Sequence, residues 1–590
     1  MDSQTHNQIV SFIWNIADDC LRDVYVRGKY RDVILPMTVI RRLDAVLEGT
    51  KDAVRRMKAT LDNAGVKEQN AALCRIAGQS FCNASPFCLK DLTSRVTPQK
   101  LKTDFITYLD GFSPNVQEIL EKFKFRNQID TMIDAGILGS IIEKFVDHKM
   151  GVTTLDNHAM GTVFEELIRR FNEENNEEAG EHFTPRDVVE LMADLIFEPI
   201  ADKIKDATYT VYDGASGTGG MLTVSQDRLL ELSRRNGRTV SIHLFGQEIN
   251  PETYAITKAD MLLKGEGAEA DNIAYGSTLS SDGFPSRQFD FMLSNPPYGK
   301  SWKNDAEKLG GKKGIADTRF VTTFAGDGEF GMIPRVSDGQ LLFLLNNVSK
   351  MKETTELGSR IAEVHNGSSL FTGDAGGGES NARRYLIERD LVEAIIALPE
   401  NMFYNTGIGT YIWVLSNRKE ARRRGKIQLI DATALKSPLR KNLGKKNCEI
   451  TPDIRRRIMC LFNAFEENEY SKIFDNSAFG YWKVTVLRPA LDEQGIPQRD
   501  KKGKPVGDKN TDTEQIPLDY PGGIDAFIQA EVLPYAPDAW VDEKKTQIGY
   551  EISFTKHFYK PIQLRSLAEI VADIRALEAE TDGLLEEVLG

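Results

Sequence analysis

Apolar residues between Gln8 and Glu48 recur every three or four positions: Ile9, Phe12, Ile13, Ile16 and Cys20, then Val39, Ile40, Leu43 and Val46. That spacing is helical. Similar patterns continue to Met150 with few strand signals, which predicts an all-helical domain over 1–150. From about Gly151 to Ala432 short β-branched runs alternate with helical stretches: Tyr209 to Tyr212, His243 to Gly246, Phe289 to Leu293, Ala394 to Leu398 and Tyr411 to Leu415. This alternation predicts an open, mostly parallel sheet covered by helices on both faces, an α/β domain over 151–475. Pro489, Pro497, Pro505 and Pro517 then punctuate a charged, glycine-containing stretch from Asn476 to Gly523, so 476–560 is expected to be loop-rich. Within 561–590, Leu567, Ile570, Ile574, Leu577, Thr581, Leu584 and Val588 repeat at alternating spacings of three and four. The expectation is a helical or coiled-coil tail that docks on a partner helix; packing on its own domain is the alternative.

A chain of 590 residues exceeds what one hydrophobic core organises, in keeping with several domains. Its longest apolar runs, such as Ala394 to Leu398, are too short to span a bilayer, so no membrane role is expected. The opening Met-Asp-Ser-Gln-Thr-His lacks the basic and apolar regions of a signal peptide, and a cytoplasmic location is expected. Six scattered cysteines without a C-x-x-C pair are expected to be reduced thiols; the Cys74, Cys82 and Cys88 cluster contains no histidine, and no metal is expected there.

The net charge of −13 disfavours unaided DNA binding, since non-specific affinity comes from cations displacing counterions of the phosphates. Either a partner supplies basic surface or it is local. Two stretches qualify: Arg418, Lys419, Arg422, Arg423, Arg424 and Lys426, and Lys436, Arg440, Lys441, Lys445 and Lys446. A solvated helix face and a mobile loop are their plainer readings.

Chemistry concentrates in three segments. Asn295-Pro296-Pro297-Tyr298 follows the apolar strand Phe289 to Leu293. Prolines after a strand also make a stiff turn, but a chemical account covers each residue. The lone pair of an aromatic amine is delocalised into its ring. Two acceptors on its N–H groups, the Asn295 side-chain oxygen and the Pro296 carbonyl, would favour a pyramidal nitrogen and turn the pair toward an incoming methyl group. Tyr298 would stack on the base, which must be flipped out of a duplex to be reached.

Upstream, Tyr209 to Tyr212 runs into Asp213-Gly214-Ala215-Ser216-Gly217-Thr218-Gly219-Gly220 and a helical run from Met221. Such a turn lets backbone approach a nucleotide-like ligand, and Glu248 at the next strand end is placed to accept from ribose hydroxyls. No Gly-Lys-Ser/Thr follows, which disfavours a nucleoside triphosphate. The third segment, Gly180-Glu181-His182-Phe183-Thr184-Pro185-Arg186, opens a helix at Asp187. The loop Gly373 to Glu379 resembles a phosphate cradle, but a flexible connection is the simpler expectation.

Together, in this order, the three segments resemble the N6-adenine DNA methyltransferases, and within them the modification subunit of type I restriction-modification systems. Leu398-Pro399 and Phe403-Tyr404-Asn405-Thr406-Gly407-Ile408-Gly409-Thr410 extend the likeness. It implies a Rossmann-like core that uses S-adenosyl-L-methionine and methylates N6 of adenine in double-stranded DNA. It also implies specificity and restriction endonuclease subunits as partners, and two copies of this chain per complex. The S-adenosylmethionine pocket would be lined by Glu181, His182, Phe183, Thr184, Pro185, Arg186, Asp213, Ser216, Gly217, Thr218, Gly219, Gly220 and Glu248, with the adenine at Asn295 to Tyr298. Two departures are visible. The glycine loop opens Asp213-Gly214 where the family has Asp-Pro, and Ser277 stands in Gly276-Ser277-Thr278-Leu279 where an acid or amide is usual. No module resembling a target-recognition domain follows the catalytic region, so sequence reading is expected from a partner. Glutamine protein methylation, an inactive scaffold and another phage-defence methyltransferase are the competing readings.

Overall fold

The computed structural model describes residues 3–95, 97–147, 160–174, 184–265, 267–311, 314–404, 406–494, 496–501, 503–559 and 566–577. The chain divides into two compact units, 1–552 and 553–590. In the first, helices run from Ser3–Leu21 to Leu138–Phe145, and the periodic residues Ile9, Ile13, Ile16, Val39, Ile40 and Leu43 are all buried.

The strands are β1 (Thr208–Asp213), β2 (Ser241–Glu248), β3 (Ile273–Tyr275), β4 (Phe291–Ser294), β5 (Val321–Phe324), β6 (Asp327–Gly331), β7 (Arg360–Asn366), β8 (Val392–Ala397), β9 (Thr410–Ser416), β10 (Lys426–Asp431), β11 (Ser437–Leu443), β12 (Lys446–Glu449), β13 (Ser471–Asp475), β14 (Gly480–Leu487), β15 (Asp512–Pro517), β16 (Trp540–Val541) and β17 (Gln547–Tyr550). Nine of them form one sheet in the order β13-β10-β8-β9-β7-β4-β1-β2-β3. Strands β9 and β13 run against the rest, and every other pairing is parallel. The central strands are mostly apolar, and β8 and β4 are buried at every position, as a sheet covered on both faces requires. Because β1, β4, β7, β8 and β10 share a direction, the turns that follow them emerge at one edge of the sheet, where open α/β sheets bind ligands.

The stretch expected to be loop-rich carries an ordered antiparallel sheet in which β14 pairs with β15, β16 and β17. Its prolines escape the ladder: Pro489, Pro497 and Pro505 sit in isolated bridges of the excursion between β14 and β15, and Pro517 ends β15. The Gly373–Glu379 loop makes close contacts with the rest of the fold. A Cβ on Gly378 would meet the Ile333 carbonyl oxygen at 1.7 Å, and Asp374 pairs with Lys483. In the second unit, Leu567, Ile570, Ile574 and Leu577 are exposed; Thr581, Leu584 and Val588 lie outside the described residues. Among the described residues no helix is long and apolar enough to cross a membrane.

One buried carboxylate ties the start of the site-bearing strands together. Asp290 accepts from the Thr210 amide and hydroxyl at 2.8 Å each and pairs with Lys352 at 2.7 Å. Asp290→Ala is expected to cost ~3 kcal/mol of stability, read as a lower unfolding midpoint in denaturant; an unchanged midpoint would show that the contact is dispensable.

Candidate active site

β1 delivers Asp213 at its end, and the chain turns sharply through Gly217 and Gly219, whose φ angles are +53° and +81°. Only glycine adopts these values without strain. A side chain at Gly219 would also strike the Thr257 methyl at 2.9 Å, so the turn packs directly on the helix Pro251–Leu263. Thr257 donates its hydroxyl to the Gly217 carbonyl, and Glu248 accepts from the Gly217 amide at 2.8 Å and from the Asn250 amide at 2.7 Å. Glu248 therefore braces the turn from the end of β2.

β4 ends at Ser294, whose hydroxyl donates to Asp213 Oδ1 at 2.9 Å and accepts from the Gly214 amide at 3.2 Å. The glycine turn and the Asn295 tetrapeptide are thus joined directly. A proline at 214 would lack the amide that makes the second bond, which gives the Asp-Gly departure a structural reason. Beyond the tetrapeptide the Gly299 amide donates to Asp338, which also accepts from Gln340 and Ser368.

A cavity of about 300 Å³ opens between these elements. Of the expected residues, Thr184, Arg186, Asp213, Ser216, Gly217, Thr218, Gly220, Glu248, Ser277, Asn295 and Pro297 line it. Pro185 sits behind the wall and caps the helix Arg186–Phe197 through its carbonyl, which accepts from the Val188 and Val189 amides. Ser277 caps its own turn, accepting from the Leu279 and Ser280 amides. Glu181, His182 and Phe183 lie outside the described residues. Pro296 is buried, and Tyr298 packs half-buried against the hydrophobic core, which pushes its phenol up to about 12. Tyr298 is not among the cavity-lining residues, where an aromatic platform was expected. Trp302 and Phe343 supply the aromatic walls.

Sequence reasoning missed Glu165, Ser294, Trp302, Asp338 and Phe343. Asp338 left a trace as an acid shortly before the apolar run Leu341 to Leu345, a helix-start signal. Glu165 left none: it lies on the helix Met160–Glu174, and only the fold brings its carboxylate to within 2.9 Å of where a Gly220 Cβ would stand.

Three buried polar atoms at the cavity have no hydrogen-bond partner among the described residues: Asn295 Oδ1, Asp213 Oδ2 and Ser216 Oγ. Buried acceptors left unpaired are costly, and such sites are characteristic of function. Asn295 offers an oxygen to a donor that the described residues do not supply; Asp213 offers a carboxylate to a cation or hydroxyl. Burial pushes the Asp213 and Glu165 carboxyls up to about 7, with Glu248 and Glu363 adding repulsion at Asp213 and Arg186 opposing the shift at Glu165.

A mostly parallel sheet with a glycine turn and an acceptor-bearing Asn-Pro-Pro-Tyr corner at the same edge defines a methyltransferase-type α/β fold. The N-6 DNA methylase model matches residues 155–478, and the HsdM N-terminal domain model matches residues 9–145. The chain belongs to the N-6 DNA methylase family. Its relatives include the type I restriction enzyme MjaIX methylase subunit of Methanocaldococcus jannaschii, 24% identical over 406 residues, 66% of each chain. The HindI methylase subunit of Haemophilus influenzae is 29% identical over 283 residues, 46% of this chain and 54% of that one. The chain spans about half to just under two thirds of the length of the curated relatives it matches. The methyltransferase subunit of a type I restriction-modification system from Streptococcus thermophilus shares the fold with a TM-score of 0.59 and 22% identity, over 80% of this chain and 97% of that one.

The two raised carboxyls predict a pH dependence. A carboxyl raised in the folded chain contributes stability that is present below its unfolded value near 4 and lost as pH rises through about 7. A cationic ligand favours the ionised form. The thermal stabilisation given by S-adenosylmethionine is therefore expected to be larger at about pH 7.5 than at about pH 6, with Asp213→Asn narrowing the difference. Equal stabilisation at both pH values would mean that neither carboxyl meets the ligand's positive charge.

Proposed function

We propose that the chain transfers a methyl group from S-adenosylmethionine to N6 of an adenine flipped out of double-stranded DNA, as the modification subunit of a type I restriction-modification complex. The observation that carries this is the buried Asn295 Oδ1, without a partner among the described residues, on a residue that lines the same cavity as the glycine turn. The family match, and relatives that are type I methylase subunits, support it.

S-adenosylmethionine supplies an electrophilic methyl group on a sulfonium. Asp213, Ser216, Gly217, Thr218, Gly220, Glu248 and Ser277 would hold it, with Thr184 and Arg186 closing one wall; Glu181, His182 and Phe183 belong to the same proposed set. Asn295 Oδ1 accepts one N–H of the target amine, and the Pro296 carbonyl is assigned the other. Accepting both localises the nitrogen lone pair, while Trp302 and Phe343 exclude water and offer faces for stacking. The corner is stiff because two prolines set its backbone and Asp338 fixes the amide of Gly299. The exposed apolar stripe Leu567, Ile570, Ile574 and Leu577 would dock the specificity subunit, with the endonuclease subunit and a second copy of this chain completing a cytoplasmic complex. The proposed division is a helical domain over 1–150, a catalytic domain over 151–475, an extension over 476–560 and a docking helix over 561–590.

Asn295→Ala is expected to lower methyl transfer to unmethylated plasmid by at least ~10²-fold while S-adenosylmethionine affinity, measured by calorimetry, stays within about threefold. Parallel loss of both would assign Asn295 a structural role. A release factor offered in place of plasmid separates the substrates: methylation of the protein and not of the DNA would overturn the proposal.

A further inference from the structure

The two cationic stretches singled out along the chain meet different fates. In the first, Lys419 and Arg423 are buried against Asp390 and Glu393, and Arg422 and Lys426 pair with Glu420 and Asp475, so most of its charge is spent within the fold. The second folds as the ribbon β11–β12, turning at Gly444 with φ +60°. Residues 432–448 contain five Lys and Arg and no Asp or Glu, in a chain of net charge −13. Four of the five, Lys436, Arg440, Lys441 and Lys445, are exposed and make no ion pair among the described residues. The fifth, Lys446, is buried and anchors the ribbon: its Nζ meets Asp187 at 3.0 Å and the Met402 carbonyl at 3.1 Å.

The anchorage fixes where the exposed cations stand. Asp187 lies in the first turn of the helix Arg186–Phe197, next to the cavity residue Arg186, and it also accepts from the Ile450 amide at 2.8 Å. The ribbon's second strand lies along the loop after β8, with the Asn447 amide donating to the Asn401 carbonyl and the Lys445 amide to the Tyr404 carbonyl. That loop and the ribbon leave the sheet at the edge where β1 and β4 deliver the glycine turn and Asn295.

We propose that the ribbon is a phosphate-contacting arm, in which Lys436, Arg440, Lys441 and Lys445 hold the backbone of the duplex beside the flipped base. A two-stranded ribbon matches the dimensions of a DNA groove, and unpaired cations on it gain from counterion release whatever the base sequence. An acidic protein surface is the competing partner. DNA is favoured because the ribbon is anchored to Asp187, the neighbour in sequence of the cavity residue Arg186, and leaves the sheet at the edge that carries Asn295. This inference rests on the DNA-methylation reading above.

The test uses the full chain in the assembly with which it purifies and compares it with a variant carrying Lys436→Gln, Arg440→Gln, Lys441→Gln and Lys445→Gln. Affinity for an unmethylated duplex is measured by fluorescence anisotropy across a salt series. Each lost phosphate contact should flatten the plot of log affinity against log salt by about 0.9, so up to about 3.6 in all, with S-adenosylmethionine affinity unchanged. A control variant, Lys67→Gln, Lys90→Gln and Lys100→Gln, removes exposed cations of the helical domain and is expected to leave the slope in place. An unchanged slope in the ribbon variant, an equal change in the control, or loss of a protein component with DNA binding intact would each overturn the assignment. If the unaltered assembly methylates plasmid while the ribbon variant keeps its salt slope, the arm fails and the methylation reading stands; if the unaltered assembly transfers no methyl group to DNA, that reading fails first.

Discussion

The hydroxyl of Ser294 is the joint on which the site depends. By donating to Asp213 and accepting from Gly214, it couples the last residue of β4 to the turn that leaves β1. These are neighbouring parallel strands, so the backbone hydrogen bonds of the sheet already set their spacing, and the joint removes the remaining freedom at their ends. The acceptor on Asn295 and the backbone that would face a methyl donor are thereby held as one piece. Transfer between two bound groups gains most when both are positioned before they meet.

Around that joint the chain carries buried polarity that its own groups do not fully satisfy. Asp213 has one oxygen bonded to the Ala215 amide and Ser294 and the other without a partner among the described residues. Burial raises its carboxyl, and Glu165 across the glycine turn is raised in the same way. A cavity with such walls is suited to a ligand that brings both positive charge and hydrogen-bond donors. The cavity also has aromatic lining: Trp302 is buried against Gly339, and Phe343 is on the helix that follows Gly339. A cavity lined by both polar and aromatic groups suits a charged methyl donor and a planar base.

Much of this was legible in the residue pattern where neighbours in sequence cooperate. Helical spacing marked the N-terminal domain, β-branched runs marked five strands of the large sheet, and Asn295 and Gly217 announced themselves by local chemistry. What could not be read depends on distant pairing. Glu165 reaches the glycine turn only after the helix Met160–Glu174 packs, and Trp302 becomes a wall only through its bonds to the Arg335 and Val336 carbonyls. For Tyr298 the tetrapeptide suggested a stacking platform, and the fold packs its ring half-buried against the core, a contact that the local string did not announce. The sheet formed by β14 to β17 was hidden because its prolines sit in the excursion and at the strand end, so their number said nothing about the ladder beside them. The basic stretches looked equivalent in sequence, and the ion pairs of Lys419, Arg422, Arg423 and Lys426 separate them.

The central claim is that Asn295 holds the amino group of an extruded adenine within reach of the cofactor turn. It is tested most directly by a structure of the chain's DNA complex with S-adenosylhomocysteine bound. The account predicts the N6 atom about 2.9 Å from Asn295 Oδ1, with the sulfur of the cofactor product lying over the turn at Gly217 to Gly220. A base that remains stacked in the duplex, or an Asn295 oxygen bonded to another group of the protein while the base sits elsewhere, would contradict it.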